Sequence, residues 1–201
     1  MDLGSPVLDI APAVRGSLLQ TLARLEKPVT RRQLATSAQV APGNASAVIE
    51  GLISAGLVSE TAAGRSSMVE LNRNHLAAGP IIALAGLRGE LIRRLRERLS
   101  AWPDLAGAWI FGSVARGSAD GNSDIDLLIV ADDLQSVGLH DRLAQLLSDV
   151  RLWTGNELQL VEHSRASWRK LVKANNPLVD QVRLDGIALT LDGGALLKRT
   201  R

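Results

Sequence analysis

The sequence predicts an α/β (α+β) chain in two parts, a small helical domain with a hairpin followed by a small mixed sheet with helices. Three observations predict it. Apolar residues recur at helical spacing from Val14 to Ile53 and then give way to two short runs around Gly64-Arg65. An arginine-rich stretch with leucines four apart covers 81–103. Beyond it, apolar runs of strand length alternate with amphipathic helices as far as Leu191.

Residues 1–12 hold two prolines and no periodicity, which predicts a flexible start. Val14, Leu18, Leu22 and Leu25 give residues 13–25 one apolar face, and a first helix is expected there. Pro28 ends it, and Thr30 is suited to cap a second helix carrying Leu34 and Ala35. A turn at 41–44 precedes a third helix with Val48, Ile49, Leu52 and Ile53, closed by Gly56. Residues 57–60 and 68–71 then read as a hairpin. Three helices and a hairpin over 13–75 resemble a winged helix-turn-helix domain of the bacterial regulator type, residues 51–58 matching the passage from recognition helix to wing. The resemblance implies DNA binding, with the helix over 43–55 in the major groove and Asn44 and Ser46 near its N-terminus. Arg65 would lie at the wing tip, and Arg31 and Arg32 against the DNA backbone. That helix carries no Lys or Arg and one acid, Glu50, whereas DNA-reading surfaces are usually basic. Homodimerisation or another partner contact is the other reading of this domain.

Residues 81–103 read as a connecting helix, with Leu87, Leu91, Leu95 and Leu99 in register and Ile92 beside them. Arg88, Arg93, Arg94, Arg96 and Arg98 fall mainly on its other faces, and Pro103 stops it at Trp102. A solvated helix between domains is the plain interpretation, and a phosphate-attracting surface the sharper one.

Residues 104–192 form the last part. An apolar run at 108–111 ends at Gly112-Ser113, ten residues follow, and Asp124-Ile125-Asp126 opens a second apolar run to Val130. Strand alternation puts Asp124 and Asp126 on one face and Ile125 and Leu127 on the other. Two neighbouring carboxylates repel unless a cation holds them. Magnesium is the natural cation, commonly held by one or two carboxylates with substrate phosphates. Gly112 permits close backbone approach, and Ser113 opens a short helix whose free N–H groups suit an anion. Further on, 137–153 reads as a helix and 157–162 as a strand with Leu158 and Leu160 on one face, Glu157 and Gln159 on the other. Ser164 caps a helix with Trp168, and Asn176-Pro177 begins another. Residues 187–191 read as a last short strand, and the basic tail from Lys198 as loose. The expected core is a mixed sheet with helices on one side.

The arrangement Gly-Ser, ten residues, Asp-x-Asp between two strands resembles the signature of the DNA polymerase beta-like nucleotidyltransferase superfamily, and most of all its minimal, prokaryotic domains. The resemblance implies a magnesium-dependent (or manganese-dependent) enzyme moving a nucleoside monophosphate from a nucleoside triphosphate to a hydroxyl on a protein or small molecule. It implies that Gly112 and Ser113 hold the triphosphate, and that Asp124 and Asp126 are catalytic and hold the metal. Arg116, one turn beyond Ser113, reads either as a bidentate phosphate contact or as a surface arginine. The family's third carboxylate, on the next strand, falls on Gln159, an amide that cannot accept a proton. Glu157 has the same parity but lies two residues, roughly 6.6 Å, away. A DNA-binding regulator whose nucleotidyltransferase domain senses a nucleotide is the alternative.

Composition narrows the remaining choices. The chain has no Cys, which excludes disulfides and thiolate metal sites and predicts a cytoplasmic setting. No apolar run reaches membrane-spanning length, and the first 15 residues lack the layout of a signal peptide. Four Trp, one Phe and no Tyr leave the interior mainly to Ala, Leu and Val. Net charge is only +2, with the basic excess at 81–103, where five basic residues meet two acidic ones.

Overall fold

A computed structural model describes residues 1–64, 66–191 and 193–197. The fold is mixed α/β, with a three-stranded and a four-stranded sheet among the described residues. The chain divides into two compact units, one of residues 5–87 and one combining Met1–Gly4 with Arg88–Arg201. No helix among the described residues is long and apolar enough to cross a membrane.

The unit of residues 5–87 opens with a 3-10 turn, Pro6–Asp9, followed by α1 (Ala13–Arg24). The two are joined by Gln20, a buried side chain that accepts from Val7 N–H at 3.1 Å and donates to Ala85 O at 3.4 Å. Next come β1 (Val29–Thr30) and α2 (Arg31–Ser37). Thr30 caps α2 as the sequence predicts, in a full capping box closed by Gln33. α3 (Pro42–Ser54) starts earlier than expected, because Pro42 occupies the first helical turn rather than a loop. β2 (Val58–Ala63) and β3 (Ser66–Leu71) form the hairpin, and β1 adds to β3 to give the order β1-β3-β2. A two-residue strand such as β1 leaves no periodic signal and was not legible. Leu18, Leu22, Leu34, Ile49, Leu52 and Val69 are the buried centre of this unit, which α4 (Ala78–Ala85) completes.

The stretch expected as one connecting helix over 81–103 contains two helices separated at Gly86, α4 and α5 (Leu87–Ser100). Leu91, Ile92, Leu95 and Leu99 of α5 are buried in the second unit's core. The α5 arginines all have partners: Arg93 and Arg94 pair with Glu90, Arg93 also with Glu97, and Arg98 with Asp149. Arg96 donates to Ala188 O and Arg88 to two further carbonyls. Three of the five arginines are thus paired with acids, and Arg88 and Arg96 are tied to backbone carbonyls.

The second unit continues with β4 (Leu105–Phe111), α6 (Gly112–Arg116), β5 (Ile125–Ala131), α7 (Val137–Thr154) and β6 (Leu158–Ser164). After these come α8 (Arg165–Lys173), α9 (Pro177–Asp185), β7 (Ile187–Ala188) and α10 (Gly193–Leu196). Ser164 and Asn176 cap α8 and α9 with their side chains, as the sequence predicts. The sheet order is β6-β5-β4-β7, with β4 antiparallel to both neighbours and β5 parallel to β6.

Helices cover both faces of this sheet, not one. Ile110, Ile125, Leu127 and Ile129 pack with buried leucines of α5 and α7. Trp109, Leu128 and Val130 face the other way and pack with Trp168 and Val172 of α8 and Val179 and Val182 of α9. The strands read as nearly continuous apolar runs for that reason. The start of the chain is not flexible either: Leu3 is 1% exposed in the α5–α7 side of the core, and Gly4 N–H donates to Ala119 O at 3.1 Å. The loose tail expected from Lys198 lies outside the described residues.

Candidate active site

β4 delivers the chain to Gly112 at the end of a strand buried from Ala106 onward, and α6 carries it back. Gly112 has φ +71°, and a Cβ there would lie 2.2 Å from Asp126 Oδ2. No side chain fits, and the left-handed backbone favours glycine independently. The register explains the contact, since Phe111 is directly opposite Asp126 across the β4–β5 ladder. Ser113 follows half-buried, its O accepting from Ser118 N–H at 3.0 Å.

α6 is only five residues long, too short to hold itself. Arg88 holds it, donating from Nε to Val114 O at 2.6 Å and from Nη2 to Ala115 O at 2.5 Å. These carbonyls end α6, where a cation also opposes the negative end of the helix. Asp120 shapes the loop that follows, accepting from Asn122 N–H at 2.9 Å and Ser123 Oγ at 3.0 Å. Those bonds lower the Asp120 pKa. Asn156, buried after α7, donates to Ser123 O at 2.9 Å and fixes the residue before Asp124. Arg88, Asp120 and Asn156 had no sequence signal beyond their type.

Asp124 is exposed at the mouth of β5 and Asp126 is half-buried one pleat in. Burial raises the Asp126 pKa first, the Asp124 charge raises it further, and Arg116 opposes both. Gln159 stands level with Asp126 in the parallel β5–β6 register, and its Nε2 donates to Asp124 Oδ2 at 3.4 Å. Glu157 precedes β6 and pairs with Arg151 at 2.5 Å. Arg116, at the end of α6, pairs with Asp185 Oδ2 at 2.8 Å. The structure therefore brings Gly112, Asp124, Asp126 and Gln159 together, with Arg116 close enough to act on Asp126 electrostatically.

Residues 91–174 match the family model of the nucleotidyltransferase domain. The match spans Gly112, Ser113, Asp124, Asp126 and Gln159. No curated protein matches the chain. That match supports nucleotidyl transfer in general terms for the matched residues. No cluster of three or more acids or histidines suited to a metal occurs among the described residues.

The residues singled out for DNA lie elsewhere, in the unit of residues 5–87. Arg31 is clamped between Glu50 at 2.5 Å and Glu60 at 2.6 Å. Arg31, and secondarily the Ser67 hydroxyl, holds the Glu60 carboxyl down to about 2. Arg32, Asn44 and Ser46 are exposed. Arg31, Arg32 and Ser46 line a groove of about 400 Å³ between α2 and α3, with Ala45 and Ile49 at its base. Arg65 lies outside the described residues.

Proposed function

We propose that the chain is a nucleotidyltransferase that binds a nucleoside triphosphate at the Gly112-Ser113 turn and transfers its nucleoside monophosphate to a hydroxyl acceptor. The observation that carries this is the contact of Gly112 with Asp126, which sets a side-chain-free backbone against a carboxylate pair. The missing Cβ lets the Asp126 carboxylate lie against the turn's backbone, and Asp124 and Asp126 would hold magnesium or manganese of the kind bound through one or two carboxylates and substrate phosphates. When bound, the ion neutralises phosphate charge in an in-line displacement. The acceptor oxygen forms a bond to the α-phosphorus as the bond to the departing pyrophosphate breaks, and the hydroxyl proton leaves to a base. This chain's part is to hold the triphosphate at Gly112 and Ser113, present two carboxylates, and place Arg116 near the phosphates. A cytoplasmic setting suits a chain without cysteine. Incubation with labelled nucleoside triphosphates, magnesium and a host lysate tests the proposal. Label transferred to a protein or small molecule is expected, and loss of that label in Asp124→Asn and Asp126→Asn ties it to this site.

Gln159 favours a second reading. Level with Asp126, it supplies an amide where a third acid would serve as base. On this reading the chain is a DNA-binding regulator, monomeric or homodimeric, whose unit of residues 5–87 acts as a winged helix under nucleotide control. Nucleotide binding without transfer, together with retention of a DNA fragment, is the result that selects it.

A further inference from the structure

Asp185 is placed where an acid costs stability twice. It is the last residue of α9, at the negative end of that helix, where an anion is unfavourable. Its side chain is only 15% exposed, and Oδ1 is buried with no hydrogen-bond partner among the described residues. A buried acceptor left unfilled is destabilising. The end of α9 is closed directly after Asp185 by Gly186 N–H, which donates to Val182 O at 3.0 Å. What faces this carboxylate is Arg116, 69 residues away in sequence, through Nη1 alone at 2.8 Å. The remainder of the guanidinium has no partner among the described residues, and the side chain is 48% exposed. An arginine fork gripped at one nitrogen keeps its other N–H donors for a second anion, in a fixed plane.

We infer that Asp185 is a positioning residue that holds the Arg116 guanidinium beside the Gly112-Ser113 turn so that its outer N–H groups meet the phosphates of a nucleoside triphosphate. This rests on the proposed nucleotide site. Because one nitrogen serves Asp185 and the others serve phosphate, Asp185 and the triphosphate bind Arg116 together rather than compete for it.

The test is titration of the full-length protein with magnesium and each ribonucleoside triphosphate, and with magnesium tripolyphosphate as a probe lacking a base. Asp185→Asn is expected to weaken both by about tenfold, the scale of one weakened hydrogen bond to a charged group. Arg116→Ala should weaken them at least as much. In the Arg116→Ala background Asp185→Asn should cause no further loss, and Asp185→Glu, which keeps the charge, should retain more affinity than Asp185→Asn. A purely structural role would lower the melting temperature of Asp185→Asn and leave affinity alone, which overturns the inference. Tighter binding by Asp185→Asn, or an equal loss with and without Arg116, overturns it as well. If Asp126→Asn abolishes magnesium-dependent binding while Asp185→Asn binds like wild type, the nucleotide site stands and the role of Asp185 falls. A wild type that binds neither probe overturns both.

Discussion

Gly112 answers two constraints at once, a left-handed backbone and a carboxylate where a methyl would go. Gly112→Ala is therefore expected to lose about 1–3 kcal/mol from the backbone alone, with triphosphate binding lost besides; urea unfolding and titration measure the two. Asp126 shows the opposite balance of function against stability. Its raised pKa means that the folded state holds its proton more tightly than the unfolded state. Ionised Asp126 thus destabilises the fold at neutral pH, and stability is recovered as pH falls through the raised pKa into the ordinary carboxylate range. Asp126→Asn should melt higher than wild type at pH 7, with the gap closing on acidification, while its magnesium-dependent triphosphate binding falls. If the variant gains as much stability from ATP and magnesium as wild type does, Asp126 is not the ligand. At Gln159, the register with Asp126 makes Gln159→Glu the informative change. It is expected to raise transfer by about 10²–10⁴-fold, the usual range of general-base assistance, with nucleotide affinity little altered. Glu157→Gln, which only frees Arg151, should do little.

At the scale of elements, the local signals were legible and the long-range ones were not. Thr30, Ser164 and Asn176 announce helices because a cap and its partner lie within three residues of each other. The strand–turn–strand layout of the Gly112–Asp126 segment was legible because apolar runs of strand length flank a Gly-Ser turn and the Asp-x-Asp pair. Arg88 gave no such signal: its partners are 26 and 27 residues away, and from sequence it is one of five basic residues between 81 and 103. Asp185 was hidden in the same way by a separation of 69 residues. Coverage of the second sheet face escaped notice because the buried residues of α8 and α9 fix the faces of those helices, not the side of the sheet they reach. Arg88 also yields a prediction. Two charge-assisted bonds hold α6, so Arg88→Ala should cost about 2–4 kcal/mol and loosen the Gly112-Ser113 turn. Hydrogen exchange at residues 113–118 should speed up selectively, and exchange unchanged there would show that α6 is held otherwise.

For the molecule as a whole, charge and connectivity matter more than any single contact. With Arg31 clamped by Glu50 and Glu60, one of the cations singled out for DNA is already neutralised within the unit of residues 5–87. Binding to a DNA fragment should be weak, with a log–log salt slope no steeper than about −3, and Arg32→Ala should weaken it further in a mobility-shift assay. A steep slope, insensitive to Arg32, would locate DNA on another surface. Connectivity has a different consequence. Because Met1–Gly4 belongs with Arg88–Arg201, the chain leaves the second unit after Gly4 and re-enters it at Arg88. In sequence the helical unit is an insert inside the other, joined by two covalent strands. One protease cut near Gly86 would then release nothing: the N-terminal fragment would stay docked through Leu3, in the core, and Gly4, bonded to Ala119. The nicked pieces should elute together from a sizing column until denaturant is added. Leu3→Ala, which removes about 2–5 kcal/mol of core packing, should let them part without it.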